Sequence, residues 1–253
     1  MLERRFLRIC CIVVLVAGCG PRNRVIRPSL PQYHWQGPAL ALDRLASLDR
    51  AQQTVSAQLT MVVPHRGGRS RLDAILVAEA PRRMRCRAYK AGRTVFDMTI
   101  DEAGYRLIAG QSGERLEGLW ADEAADSEGG ELVEAAMIDP RWFRPVLAFL
   151  GGGSRGDGAI VLGESAAWFE VACQVDGARV VRRIDKRTLL DQRLTVYDKD
   201  GLAVTIALDD YALIGDRAWP MSVSIQGREP NQWCRLRFRR VVLGEPLAPA
   251  AFR

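Results

Sequence analysis

The sequence predicts a mainly β, α+β fold: one large antiparallel sheet of about ten to twelve strands, one helix before it and one helix in its middle. Three observations predict it. Apolar and polar residues alternate with a period of two through most of the 253 residues, which places one side of each strand in a core and the other in water. Short turn sequences separate the alternating runs at hairpin distances. Only two later stretches carry apolar residues at helical spacing.

Before the fold comes an export signal. Arg4, Arg5 and Arg8 precede the apolar run Ile9 to Val16, and small residues lead to the tetrapeptide Val16-Ala17-Gly18-Cys19. The run is well short of the roughly 20 residues that a spanning helix needs. Residues 1–18 are therefore read as a removable signal peptide. Residues 19–38 follow as a tether, rich in Pro, Arg, Asn, Gln and Ser. Residues 39–253 form the domain, long enough to bury a sizeable core. Removing Glu3 and the three signal arginines from a chain of formal charge +6 leaves a mildly basic protein, without the charge of a nucleic-acid binder.

Ala39 to Gln53 carries Leu40, Leu42, Leu45 and Leu48 between charged residues, so one amphipathic helix opens the domain. In the first strand Val55, Ala57, Leu59, Met61 and Val63 share one face, with Thr54, Ser56, Gln58 and Thr60 on the other. The turn Pro64 to Gly68 leads to Leu72, Leu76 and Ala78. Arg83 to Lys90 then sets Met84, Cys86 and Ala88 against Arg83, Arg85 and Arg87. Phe96, Met98 and Ile100 follow one turn, and Tyr105, Leu107 and Ala109 the next, which completes a five-stranded meander.

Residues 121–131 are acidic and read as an exposed excursion. Asp139-Pro140 opens a second helix, whose broad apolar surface is Trp142, Phe143, Val146, Leu147, Phe149 and Leu150. Pro145 is expected to interrupt or kink it, and Gly151 to Gly153 to stop it. Seven further alternating runs lie between Ile160 and Phe238.

Catalytic patterns are absent from the sequence. His34 lies in the tether and His65 in a turn, and neither a serine-centred elbow nor zinc-ligand spacing occurs. Gly151 to Gly156 lacks the Lys-Ser/Thr of a phosphate loop, and Asp198-Lys199-Asp200-Gly201 is a hairpin turn without the later carboxylate of a calcium loop. No enzyme, metal or cofactor is expected. Beyond Cys19, the downstream cysteines Cys86, Cys173 and Cys234 keep phase with apolar neighbours, which predicts buried free thiols.

The signal resembles the lipobox of bacterial lipoproteins, in which the cysteine is lipidated and becomes the first mature residue. That resemblance implies lipidation at Cys19. Gly20, in place of the aspartate that retains many such proteins in the inner membrane, favours the outer membrane. The order of helix, meander, central helix and further strands resembles the LolA/LolB-type lipoprotein carrier superfamily. So do the segments Ala78 to Arg85, Trp219-Pro220-Met221 and Glu245-Pro246-Leu247 with terminal Phe252. The resemblance implies a half-barrel with helices on its concave side and acyl chains held between them. LolB-like receptors carry an exposed apolar residue on an early loop, and the turns Pro64 to Ser70 and Lys90 to Arg93 have none.

The expected lipid-binding set is Leu59, Met61, Leu76, Met84, Phe96, Met98, Trp142, Phe143, Leu147 and Phe149. Methionine adapts to flexible acyl chains without polar demands. The expected function is binding of a lipid or lipidated protein by a membrane-anchored lipoprotein facing the periplasm, in lipid or lipoprotein transfer; a soluble carrier or another envelope protein is an expected partner. The alternative is a non-catalytic envelope scaffold that contacts a protein through its sheet edges or its arginines. Arg83, Arg85 and Arg87, and likewise Arg235, Arg237 and Arg239, line one side of their strands, which join into a basic stripe if they are neighbours.

Overall fold

A computed structural model of the chain describes residues 29–48, 53–65, 68–80, 82–110, 113–119, 140–150, 159–175, 178–198 and 201–252. The signal peptide, Cys19, most of the tether, the acidic stretch 121–131, Asp139, the glycines 151–153 and Lys199-Asp200 lie outside the described residues. So do the side chains of Trp142 and Phe149.

The first helix, α1, is Pro38–Leu48. Six strands follow: β1 Gln53–His65, β2 Gly68–Ala80, β3 Arg83–Lys90, β4 Arg93–Ile100, β5 Gly104–Ala109 and β6 Arg115–Leu119. A 3-10 turn, Pro140–Trp142, leads into the second helix, α2, Phe143–Leu150. Then come β7 Ile160–Glu164, β8 Trp168–Val175, β9 Ala178–Asp185, β10 Asp191–Asp198, β11 Gly201–Ile214, β12 Arg217–Gly227 and β13 Trp233–Leu243, before a C-terminal 3-10 turn, Pro249–Phe252.

All thirteen strands form one open antiparallel sheet, ordered β6-β5-β4-β3-β2-β1-β13-β12-β11-β10-β9-β8-β7. Strands adjacent in sequence are adjacent in the sheet, except β6 and β7, which lie at opposite edges, and β1 pairs with β13 as well as with β2. The chain passes from one sheet edge at β6 to the other at β7, and α2 lies on that passage.

The expectation of ten to twelve strands is corrected to thirteen, and the five-stranded meander to six strands. The addition is β6, a five-residue edge strand of sequence Arg-Leu-Glu-Gly-Leu whose side chains are exposed or half-buried. An edge strand with little buried area leaves a weak alternation signal. The first helix ends at Leu48, short of the expected Gln53, and buries Ala41 and Leu45 while Leu40 is exposed. Pro145 does not break α2. It occupies the helix's third position, inside the first turn, where the amide of an ordinary residue has no carbonyl four residues back within the helix.

Register puts the buried residues on one face throughout. Leu59 faces Ala74 and Phe238, Leu76 faces Cys86, and Cys86 faces Met98. A flat thirteen-stranded sheet is about 58 Å wide at the usual strand spacing. Among the described residues this face meets only two helices, of 11 and 8 residues, each under about 17 Å long. Buried residues from β2 to β12 nevertheless join one cluster across this open sheet, which is consistent with a half-barrel. No described helix is long and apolar enough to cross a membrane.

Candidate functional site: the inner face of the sheet

The inner face carries two clusters. The larger joins buried residues of β1 to β5 and β8 to β13 with Phe143, Val146 and Leu147 of α2. The smaller joins Ala41 and Leu45 of α1 with Phe169, Val171, Ile184 and Leu189, and Tyr33 and Trp35 pack against it. The Trp35 and Phe169 rings are 4.9 Å apart, and the Lys186 ammonium sits 4.4 Å from the Trp35 ring centre. Tyr33 and Trp35 lie in the stretch that the sequence reads as tether.

Eight of the ten residues expected to bind lipid have described side chains, and the fold brings all eight into the larger cluster: Leu59, Met61, Leu76, Met84, Phe96, Met98, Phe143 and Leu147. None is more than 3% exposed. Alternation in four strands and the apolar stripe of α2 converge there because each must leave water and only the inner face offers a place. Phe143 is fully buried, so α2 is seated on the sheet as a plug.

Sequence reasoning missed the most polar feature of this face. Arg182 of β9 lies between Val171 of β8 and Leu194 of β10, at the border of the two clusters. Its guanidinium donates two hydrogen bonds to Asp191, Nε to Oδ1 at 2.8 Å and NH2 to Oδ2 at 2.7 Å, with the side chains 4% and 2% exposed. Tyr211 donates to the Asp191 carbonyl at 2.7 Å. The signal was present, since Val180, Arg182 and Ile184 keep one phase.

Cys86, Cys173 and Cys234, the cysteines among the described residues, are free and buried. Burial, with a smaller push from the Asp97 charge, raises the Cys86 thiol to about 12. Burial raises Cys234 and Cys173 as well. Thiols held protonated are poor nucleophiles and poor metal ligands. Among the described residues no group of three or more His, Cys, Asp or Glu is placed to hold a metal, and His34 and His65 are both exposed.

On the outer face the expected stripe does not form as the sequence drew it, because β2 and β1 separate β3 from β13. The β3 arginines are answered by acids. Arg83 pairs with Glu79, while Arg85 and Arg87 share Asp97. Burial alone raises the Asp97 pKa, but hydrogen bonds from both arginines outweigh it and hold the carboxyl below its ordinary value. The C-terminal turn also covers this strand: the Arg83 guanidinium lies 4.3 Å from the Phe252 ring centre, and Arg85 donates to the Ala251 carbonyl at 3.3 Å.

Solved structures share this architecture. A putative outer membrane lipoprotein-sorting protein domain from Vibrio parahaemolyticus matches 84% of this chain and 94% of its own length, with TM-score 0.56 and 11% identity. A LolA superfamily protein from Nitrosomonas europaea matches over 85% and 96%, with TM-score 0.55 and 8% identity. The chain has a LolA-type fold. A DUF1329 family protein from Desulfovibrio piger shares it over 84% and 94%, with TM-score 0.57 and 11% identity. No protein-family model and no curated protein sequence matches the chain. At these identities the LolA-type resemblance is one of fold, and function rests on the site.

Proposed function

We propose that this protein is a periplasm-facing lipoprotein, anchored through a lipidated Cys19, that takes up a lipid or the acyl chains of a lipidated protein between α2 and the inner face of its sheet and catalyses no reaction. One observation carries the reading: an eight-residue helix, α2, shares one buried cluster with Met84, Met98 and their neighbours through Phe143, Val146 and Leu147. Ligand replaces the helix. Outer-membrane placement follows from Gly20, and a role in lipoprotein or lipid transfer is supported by the fold shared with the lipoprotein-sorting domain from Vibrio parahaemolyticus.

The energetics set the kind of cargo. Lifting Phe143, Val146 and Leu147 into water costs about 5–9 kcal/mol, at 1.5–3 for each side chain. An acyl chain gains about 0.8 kcal/mol for each methylene it buries. Roughly 6–11 methylenes are then needed before exchange is favourable, which selects for long chains.

The test is native mass spectrometry and solvent extraction of the gently purified protein, followed by titration with a fluorescent long-chain fatty acid. Phe143→Ala weakens the hold of α2 without placing a charge in the core, and is expected to increase uptake. A protein that carries no acyl ligand and refuses the probe in both forms refutes the reading. A second reading, an envelope scaffold, is favoured by the completeness of burial on the inner face. It would use the exposed edge strand β7, where Ile160, Val161 and Leu162 are 65%, 37% and 46% exposed.

A further inference from the structure

The arginines of β13 have a different setting from those of β3. Arg235, Arg237, Arg239 and Arg240 are all exposed, and across β1 they are joined by exposed Arg71 of β2. Val62 faces Arg71 on one side and Arg235 on the other, so those two residues are about 10 Å apart, two strand spacings. Thr60 faces Arg237 and Asp73 in the same way, and Gln58 faces Arg240 and Ile75. Asp73 is the acid within this group, and Arg239 engages it together with Thr60. Arg235 donates to the Ser224 hydroxyl, while Arg71, Arg237 and Arg240 make no ion pair among the described residues. Asp209 lies at the border, on β11 beyond Ser222, two strands from Arg237.

The placement of this array decides what it fits. β1 and β13 are the middle of the sheet, with five strands beyond one and six beyond the other. Both helices pack on the opposite face, so in a curled sheet these strands form the apex of the convex side. A small anion needs a concave cradle, and a convex surface offers none. Guanidiniums spread over an apex first touch something extended and anionic. Ile75, 47% exposed, and half-buried Val62 and Val77 stand among them, apolar groups suited to the headgroup boundary of a bilayer.

We propose that the convex face formed by β2, β1 and β13 is a docking surface for an anionic lipid bilayer, contacted by Arg71, Arg235, Arg237 and Arg240 with Ile75. This surface acts whether or not the inner face carries a lipid, and it does not depend on an N-terminal anchor. It would turn the inner face, and any cargo there, away from the membrane it rests on.

Cosedimentation of the purified full chain with phosphatidylcholine vesicles, with and without phosphatidylglycerol, tests it. The N-terminal segment carries Arg4, Arg5 and Arg8 beside its apolar run and is common to every variant, so the difference between variants on phosphatidylglycerol vesicles reports the convex face. The triple variant Arg235→Gln, Arg237→Gln, Arg240→Gln is expected to lose about tenfold to a hundredfold of the phosphatidylglycerol-dependent binding. Arg44→Gln, Arg193→Gln, Arg217→Gln removes equal charge from exposed positions outside the array and is expected to leave binding within about twofold. Equal binding to both vesicle types overturns the proposal, as does equal loss in the two triple variants. Loss in the first variant of binding to a soluble acidic polypeptide, with no effect on vesicles, also overturns it and assigns the face to an acidic protein.

Discussion

Arg182 and Asp191 hold each other through two hydrogen bonds, of 2.8 and 2.7 Å, on the sheet face that the fold otherwise fills with apolar side chains. Nothing in water compensates either charge, because both side chains are under 5% exposed. Removing one partner strands the other. Asp191→Ala is expected to destabilise the fold by about 3–5 kcal/mol in urea unfolding. Replacing both, by Arg182→Met with Asp191→Leu, is expected to recover most of that loss, and a double-mutant cycle measures the coupling. Equal losses in the single and double variants would show that shape at this border matters more than charge.

Asp97 connects acid stability to the outer face. Its folded pKa is depressed, so its contribution is complete above the ordinary carboxylate value near 4 and disappears as pH falls through the lower folded value. Asp97→Asn is expected to lower stability by about 1–2 kcal/mol at neutral pH. The variant is also expected to lose less than the native protein between about pH 4 and 2. Unfolding midpoints across that range check both statements.

The buried thiols act at the other end of the scale. In the unfolded chain they ionise from about pH 8.5, whereas folded Cys86 stays protonated to about 12. Stability is therefore expected to be intact below the unfolded thiol value and to fall above it, by up to about 1.4 kcal/mol per pH unit for each thiol until the folded value is reached. At neutral pH a thiol reagent should leave Cys86, Cys173 and Cys234 unmodified, as read by peptide mass mapping, until denaturant is added.

Gly104 starts β5 where another strand passes close by. A Cβ there would lie 2.0 Å from the backbone oxygen of Gly118 on β6, and backbone has no rotamer to change. Gly104→Ala is expected to cost about 1–3 kcal/mol and to loosen the β5–β6 pairing first. Faster amide exchange in Arg115–Leu119 than in the central strands is the readout.

Chain length should control uptake if α2 is the lid of a lipid site. Acids with fewer than about six methylenes are expected not to bind, and affinity should then rise by about fourfold for each added methylene. Saturating binding of short chains would place the ligand outside the region covered by Phe143.

How far the sequence reached depends on the range of the interaction concerned. Alternation is local: successive side chains of a strand point to opposite faces, so the buried phase of Leu59, Met84 or Met98 is written in its neighbours. The same rule located the free thiols, while helical spacing, equally local, located the apolar stripe of α2. It weakened at β6, where an edge strand buries little, and it was overruled at Pro145, where helix position mattered more than residue type. Arg182 followed the alternation faithfully but needed Asp191, nine residues away, to make its burial tolerable.

The tertiary structure decided everything that depends on which strands meet. Alternation does not say that β1 pairs with β13, yet that pairing makes one sheet of two meanders and puts Arg71 beside the arginines of β13. It also leaves those of β3 to Glu79 and Asp97. By itself the sequence determined which side of each strand is apolar, since backbone geometry fixes that over two residues. Only the fold determined which apolar sides share a core and which charges stay free, because the β1–β13 pairing that unites the two meanders joins residues more than a hundred positions apart.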